Sequence, residues 1–220
     1  MPTILNETEV RVLGSLVEKQ VTTPEYYPLT LNSLTLACNQ KNNRNPITAY
    51  DETTVAQALE TLREKNLVYV FYGSTSRVPK YKHAMPEVMH LGQSDLALLC
   101  VLMLRGTQTP GEMRGSASRL YEFSGLEEVE QTLNSLISRE PEPLVIRLPR
   151  QPGQKEVRFA HLLSGAVDVE HLAEAEPLHR VNRPSREPER VLKLEQEMEG
   201  LKAEVANLQQ QFVEFKKQFE

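Results

Sequence analysis

LNETEVRVLGSLVEKQVTTP at residues 5–24 and LGQSDLALLCVLMLRGTQTP at residues 91–110 are one segment written twice. The offset is 86 without a gap. Leu5, Leu13, Leu16, Thr23 and Pro24 return as Leu91, Leu99, Leu102, Thr109 and Pro110. Thr8-Glu9 returns as Ser94-Asp95, and Lys19 as Arg105. A self-match of this length predicts two copies of one small domain.

Each copy reads as helices followed by a hairpin. Asn6 followed by Glu9 has the form of a capping box, and Val10, Leu13, Leu16 and Val17 fall at helical spacing. The first helix is expected over about Glu7 to Lys19. Its twin is expected over about Ser94 to Leu104, with Leu96, Leu99, Leu102 and Met103 inward. Lys19 and Arg105 suit the C-terminal end of the helix dipole.

Thr109, Pro110 and Glu112 fit the N-cap, N1 and N3 positions of a second helix running to about Tyr121. In the first copy Pro28 delays that helix until after Thr30, where it carries Leu31, Leu34, Leu36 and Ala37. A third helix repeats at offset 74: Val55, Gln57, Leu59 and Leu62 return as Val129, Gln131, Leu133 and Leu136. Leu67–Phe71 and Leu144–Leu148 read as strands. Polar turns follow, then returning strands near Tyr81 and over Val157–Phe159.

The predicted fold is therefore mainly α with small β-hairpins, an α+β chain of tandem winged helix-turn-helix domains. The domains are expected at 1–86 and 87–163. The drop in offset from 86 to 74 places about 12 extra residues in copy one. The pattern assigns them to the polar loop Asn39–Pro46 and its neighbours, where function is expected to concentrate.

Residues 164–189 read as a Pro- and charge-rich linker. After it, Val191, Leu194, Met198, Leu201, Val205, Leu208, Phe212, Phe215 and Phe219 alternate spacings of three and four. That is a heptad seam over 190–220. In a parallel homodimer Arg190 meets Glu195 of the second copy and Glu197 meets Lys202, with no like-charge pair. A single amphipathic helix folded back on its own chain is the alternative.

Three stretches resemble the YceH-like proteins of bacteria: LNETEVRVLGSLVEK at 5–19, TTPEYYPLTLNSLTLACNQKNNRNP at 22–46 and RGTQTPGEMRGSASRL at 105–120. They anchor most of residues 1 to about 163. The resemblance implies two winged-helix domains, in agreement with the repeat. It brings no established activity, catalytic residue or ligand. Members of that family often have Ser and Asp where this chain has Asn42 and Asn45.

A net charge of −5 excludes a simple basic nucleic-acid coat but permits a local basic patch. Residues 1–86 hold nine Lys/Arg against eight Asp/Glu; residues 87–163 hold eight against ten; residues 164–220 hold eight against twelve. Phosphate contacts need Lys and Arg, so the first domain is the candidate reader of double-stranded DNA. Lys41, Asn43 and Arg44 offer a basic, amide-rich loop. Arg77, Lys80 and Lys82, with His83, form the wing, and Thr53, Thr54 and Gln57 lie on the third helix. In the second domain Glu127, Glu128 and Glu130 crowd the third helix's first turn and favour a protein partner.

No Gly-rich phosphate loop, CxxC pair, HExxH or GxSxG is present, and the five histidines show no metal-ligand spacing. The chain is expected to be non-enzymatic, without cofactor or metal. Cys38 and Cys100 read as buried free thiols in a cytoplasmic protein. No apolar run reaches membrane-spanning length, and no signal peptide is read at the N-terminus. The function expected is a dimeric transcriptional regulator that binds DNA. The alternative is a protein-docking module of tandem winged helices, of the kind used in chromosome organisation, that does not read DNA.

Overall fold

A computed structural model describes residues 4–72, 78–150 and 156–167. Residues 1–169 form one compact unit. Its described part is a mixed α+β fold, mostly helical, with two small antiparallel sheets. The expected coil, Val191 to Phe219, and nearly all of the expected linker lie outside the described residues, as does Arg77.

The first repeat runs α1 (Glu7–Thr22), β1 (Leu29–Thr30), α2 (Leu31–Cys38), α3 (Glu52–Glu64), β2 (Val68–Phe71) and β3 (Lys80–His83). A short helix, α4 (Met85–Met89), leads into the second repeat. That repeat comprises α5 (Gln93–Arg105), α6 (Pro110–Ala117), α7 (Leu126–Ile137), β4 (Val145–Arg147) and β5 (Phe159–His161). The first sheet has the order β1-β3-β2, with Val70 opposite Tyr81 and Leu29 opposite Tyr81 on its other side. In the second repeat a single bridge, Gln108 to Phe159, occupies the place of β1 beside the β4–β5 pair.

The caps that the sequence announces are formed. Asn6 Oδ1 accepts the Glu9 N–H at 2.9 Å while Glu9 Oε2 accepts the Asn6 N–H at 2.7 Å. Thr109 and Glu112 make the same reciprocal pair at the start of α6. Helix α6 is shorter than expected and ends at Ala117, not near Tyr121.

Helices α1 and α5 are buried on every side. From Glu9 to Glu18 all residues of α1 are buried, including Glu9, Arg11, Ser15 and Glu18; in α5 burial runs unbroken from Leu96 to Leu104. Each packs against its own repeat on one side and against its sister on the other. A helix enclosed in this way loses the one-faced pattern of a surface helix. The core therefore runs through both repeats without a break.

Helix two of the first copy starts after Thr30, as the delaying Pro28 predicts. Thr23-Pro24 begins a single 3-10 turn, not a helix equivalent to α6. The residue that does what Thr109 does is Thr30, whose hydroxyl accepts the Ser33 N–H at the start of α2. Helices two, each of eight residues, are thus related by an offset of 79 (Thr30 to Thr109). The extra residues of copy one fall in two places: before α2, and between α2 and α3. Of the apolar residues that α2 carries, Leu36 is 66% exposed.

Candidate nucleic-acid interface

The loop from Asn39 to Pro46 joins α2 to α3, and the repeat suggested it as a reading loop. Its central cation faces inward. Arg44 is buried, with Nη1 donating to Glu18 Oε1 at 3.1 Å and Nη2 to Glu18 Oε2 at 2.6 Å. Its remaining donors reach the Ala37 carbonyl, the Asn43 carbonyl and Gln40 Oε1. All the hydrogen-bonding capacity of this guanidinium is used inside the protein, so Arg44 is not on the surface expected for it. The signal in the sequence was Glu18, a carboxylate on the first helix with no cation assigned to it.

The rest of the loop is anchored across the repeat boundary. The Asn45 N–H donates to the Leu104 carbonyl at 2.9 Å, and the Arg105 guanidinium donates to Asn43 Oδ1. Arg11 donates from Nη2 to the Pro46 carbonyl at 2.6 Å and from Nη1 to the Cys38 carbonyl. Lys41 and Asn43 remain exposed.

The β2–β3 hairpin gathers a different set. Antiparallel partners share a face, so Lys82 opposite Tyr69 and Lys80 opposite Phe71 lie together on the outer surface. Tyr69 and Phe71 are half exposed, and Tyr72 and Val78 beyond them are also exposed. The inner face carries Val68, Val70, Tyr81 and His83. His83 does not join the wing cations. It is buried, its Nδ1 accepts the Met85 N–H, its Nε2 has no partner among the described residues, and burial pushes its pKa down to about 4. A neutral ring results at neutral pH.

On α3, Thr53 and Gln57 are exposed and Thr54 is half-buried, its N–H held by the Asp51 cap at 2.7 Å. Glu52, Glu60 and Glu64 share the exposed side, and Arg63 is paired with Glu60 at 2.8 Å. In the second repeat the Glu127, Glu128 and Glu130 cluster is partly local structure. Glu128 accepts from the Tyr121 hydroxyl and from both donors of Ser124, which holds its carboxyl below the usual range.

Cys38 and Cys100 are buried free thiols, and burial raises both. Among the described residues no group of His, Cys, Asp and Glu side chains is arranged to hold a metal, and no helix is long and apolar enough to cross a membrane.

The structure thus defines a two-repeat α+β protein built on a pair of enclosed sister helices. The chain belongs to the family described as protein of unknown function, DUF480, whose model matches residues 5–154. It is 52% identical over 200 residues to a UPF0502 protein of Opitutus terrae, covering 90% of this chain and 84% of that one. It is 49% identical to a UPF0502 protein of Geobacter sulfurreducens over the whole of both chains, and 49% identical to that of Pelobacter propionicus over the same extent.

Proposed function

We propose that each repeat is a winged helix and that the protein binds double-stranded DNA as a transcriptional regulator, through the hairpin of its first repeat. The element order α1-β1-α2-α3-β2-β3 with sheet order β1-β3-β2 supports the winged-helix reading. The observation that carries the DNA reading is the outer hairpin face. There Lys80 and Lys82 stand opposite Phe71 and Tyr69 and form no salt bridge among the described residues. Cations beside aromatic faces give phosphate attraction together with base or sugar contact. Thr53 and Gln57 supply neutral donors and acceptors on the neighbouring helix. Pairing of two copies through the 190–220 heptads would present two such hairpins to a two-fold site.

The test is duplex selection and binding across a salt series. For Lys80→Gln/Lys82→Gln the slope of log affinity against log salt should flatten by about 2, one for each phosphate no longer neutralised. An unchanged slope would remove the hairpin from the interface.

A second reading, a protein-docking module, is favoured by the exposed Tyr69, Phe71, Tyr72 and Val78. The carboxylates on the outer side of α3 also favour it. It predicts no duplex retention at physiological salt.

A further inference from the structure

We propose that the cleft between the two repeats is a phosphate-binding site. Its volume is about 350 Å³, within the range of small-ligand sites. Its walls come from four places distant in sequence: Lys19 near the end of α1, Lys41 on the Asn39–Pro46 loop, Arg105 at the end of α5 and Arg119 after α6. Four cations therefore converge on one concavity. The single acid in the wall is Glu18, and its carboxylate is already bound by the buried guanidinium of Arg44. Lys19 lies 3.7 Å from that same carboxylate, whereas Lys41 and Arg119 form no salt bridge among the described residues.

The C-termini of α1, α5 and α6 meet this cleft, and their carbonyls would ordinarily repel an anion. Carbonyls at each end are occupied: at α6, Ala117 O accepts the Leu120 and Tyr121 N–H groups. Glu18 O accepts from the Thr22 hydroxyl, and Lys19 O from the Thr23 N–H and hydroxyl. Leu104 O accepts from the Asn45 N–H, and Arg105 O from the Asn45 amide. The Asn39–Pro46 loop thus does three things at once. It quenches the end of α5, steers Arg105 through Asn43, and adds Lys41 to the wall. The positive field left over is suited to a compact, multiply charged ligand, because the four cations share with Arg44 the single carboxylate of Glu18.

The shared chemistry is a phosphate group. Its source is either a free phosphorylated small molecule or the backbone of bound nucleic acid. The site does not depend on the hairpin reading above.

The experiment is calorimetric titration of the full chain with sodium pyrophosphate and, separately, with a duplex of about 20 base pairs, at matched ionic strength. Two double variants are compared with the parent: Lys41→Gln/Arg119→Gln in the cleft and Lys80→Gln/Lys82→Gln on the hairpin. Lys41 and Arg119 are exposed, so the cleft variant retains the fold, which its thermal melt verifies. Saturable pyrophosphate binding that weakens roughly tenfold or more in the cleft variant alone establishes a free phosphorylated ligand. Duplex binding that weakens in the cleft variant, with no pyrophosphate binding, establishes backbone phosphate as the source. If the cleft variant matches the parent toward both probes, the proposal is overturned. Duplex binding lost only in the hairpin variant would then still uphold the DNA reading.

Discussion

Cys100 Sγ donates to the Gly14 carbonyl at 3.5 Å, and these two residues are the same position of the repeat, 86 apart. Equivalent positions that meet each other mark an isologous contact, the geometry of a two-fold pair. At this point α1 and α5 meet as equivalent helices of a symmetric dimer do, within one chain. Glycine at position 14 allows the approach. A Cβ there would lie 3.0 Å from Leu104 Cδ2 and 3.2 Å from Met103 Cβ.

Gly14→Ala is accordingly expected to destabilise the protein. Alanine favours the helix by ~1 kcal/mol, but overpacking between two enclosed helices costs about 1–3 kcal/mol. Denaturant melts should show a lower midpoint. A raised midpoint would mean that the sister helices separate easily.

Arg44 and Lys41, three residues apart, should behave oppositely. Arg44→Ala leaves Glu18 buried without its partner and should cost roughly 3–5 kcal/mol, the range for breaking a buried pair from one side. Lys41→Ala should change stability by less than about 0.5 kcal/mol, as exposed sites do. Equal effects in urea melts would contradict the inward placement of Arg44.

Thr30 and Thr109 are both hydroxyl caps of eight-residue helices. Alanine at either should cost ~1 kcal/mol. Thr23 donates its hydroxyl to Lys19 O beyond the end of α1 and caps no helix start, so Thr23→Ala should cost less. A larger loss at Thr23 than at Thr30 would restore the offset of 86 for the second helix.

Acid should destabilise the fold in a window set by two histidines that burial lowers, His83 and His161. The folded pKa of each, about 4, lies below the ordinary histidine value of 6.5. The unfolded state therefore binds more protons between those values. Stability is complete above pH 6.5 and falls as pH drops toward 4, by up to about 1.4 kcal/mol per pH unit from each group. Glu9 adds to the loss at lower pH. Burial alone would raise its carboxyl, but Lys65, Thr61 and the Asn6 N–H together hold it below its usual value. Urea midpoints of the parent and of His83→Asn between about pH 7 and 4 check the first part. The variant should lose only part of the slope in that window, because burial lowers His161 to about 4 as well and its share remains.

The sequence by itself determined the two repeats, the α-helices other than the short α4, the hairpins, and the capping boxes at Asn6 and Thr109. These rest on local chemistry: apolar spacing, a hydroxyl or amide before a helix, and a carboxylate three residues on. Asn6, Thr109 and Leu59 were legible for that reason. The sequence also carried the charge excess of the first repeat and the hairpin lysines. Only the tertiary structure decided which cations face solvent. Arg44 and Lys41 sit in the same polar loop, and nothing local distinguishes them. The difference is Glu18, 26 residues upstream on a helix that the fold encloses from Glu9 to Glu18. The same enclosure buries Glu9, Arg11 and Ser15, which spacing alone assigns to water. His83 leaves the wing for a related reason: strand alternation turns it inward opposite Val68. Gly14, Arg105 and Arg119 acquired their places only when α1 met α5, because contacts between repeats leave no periodic trace in either one.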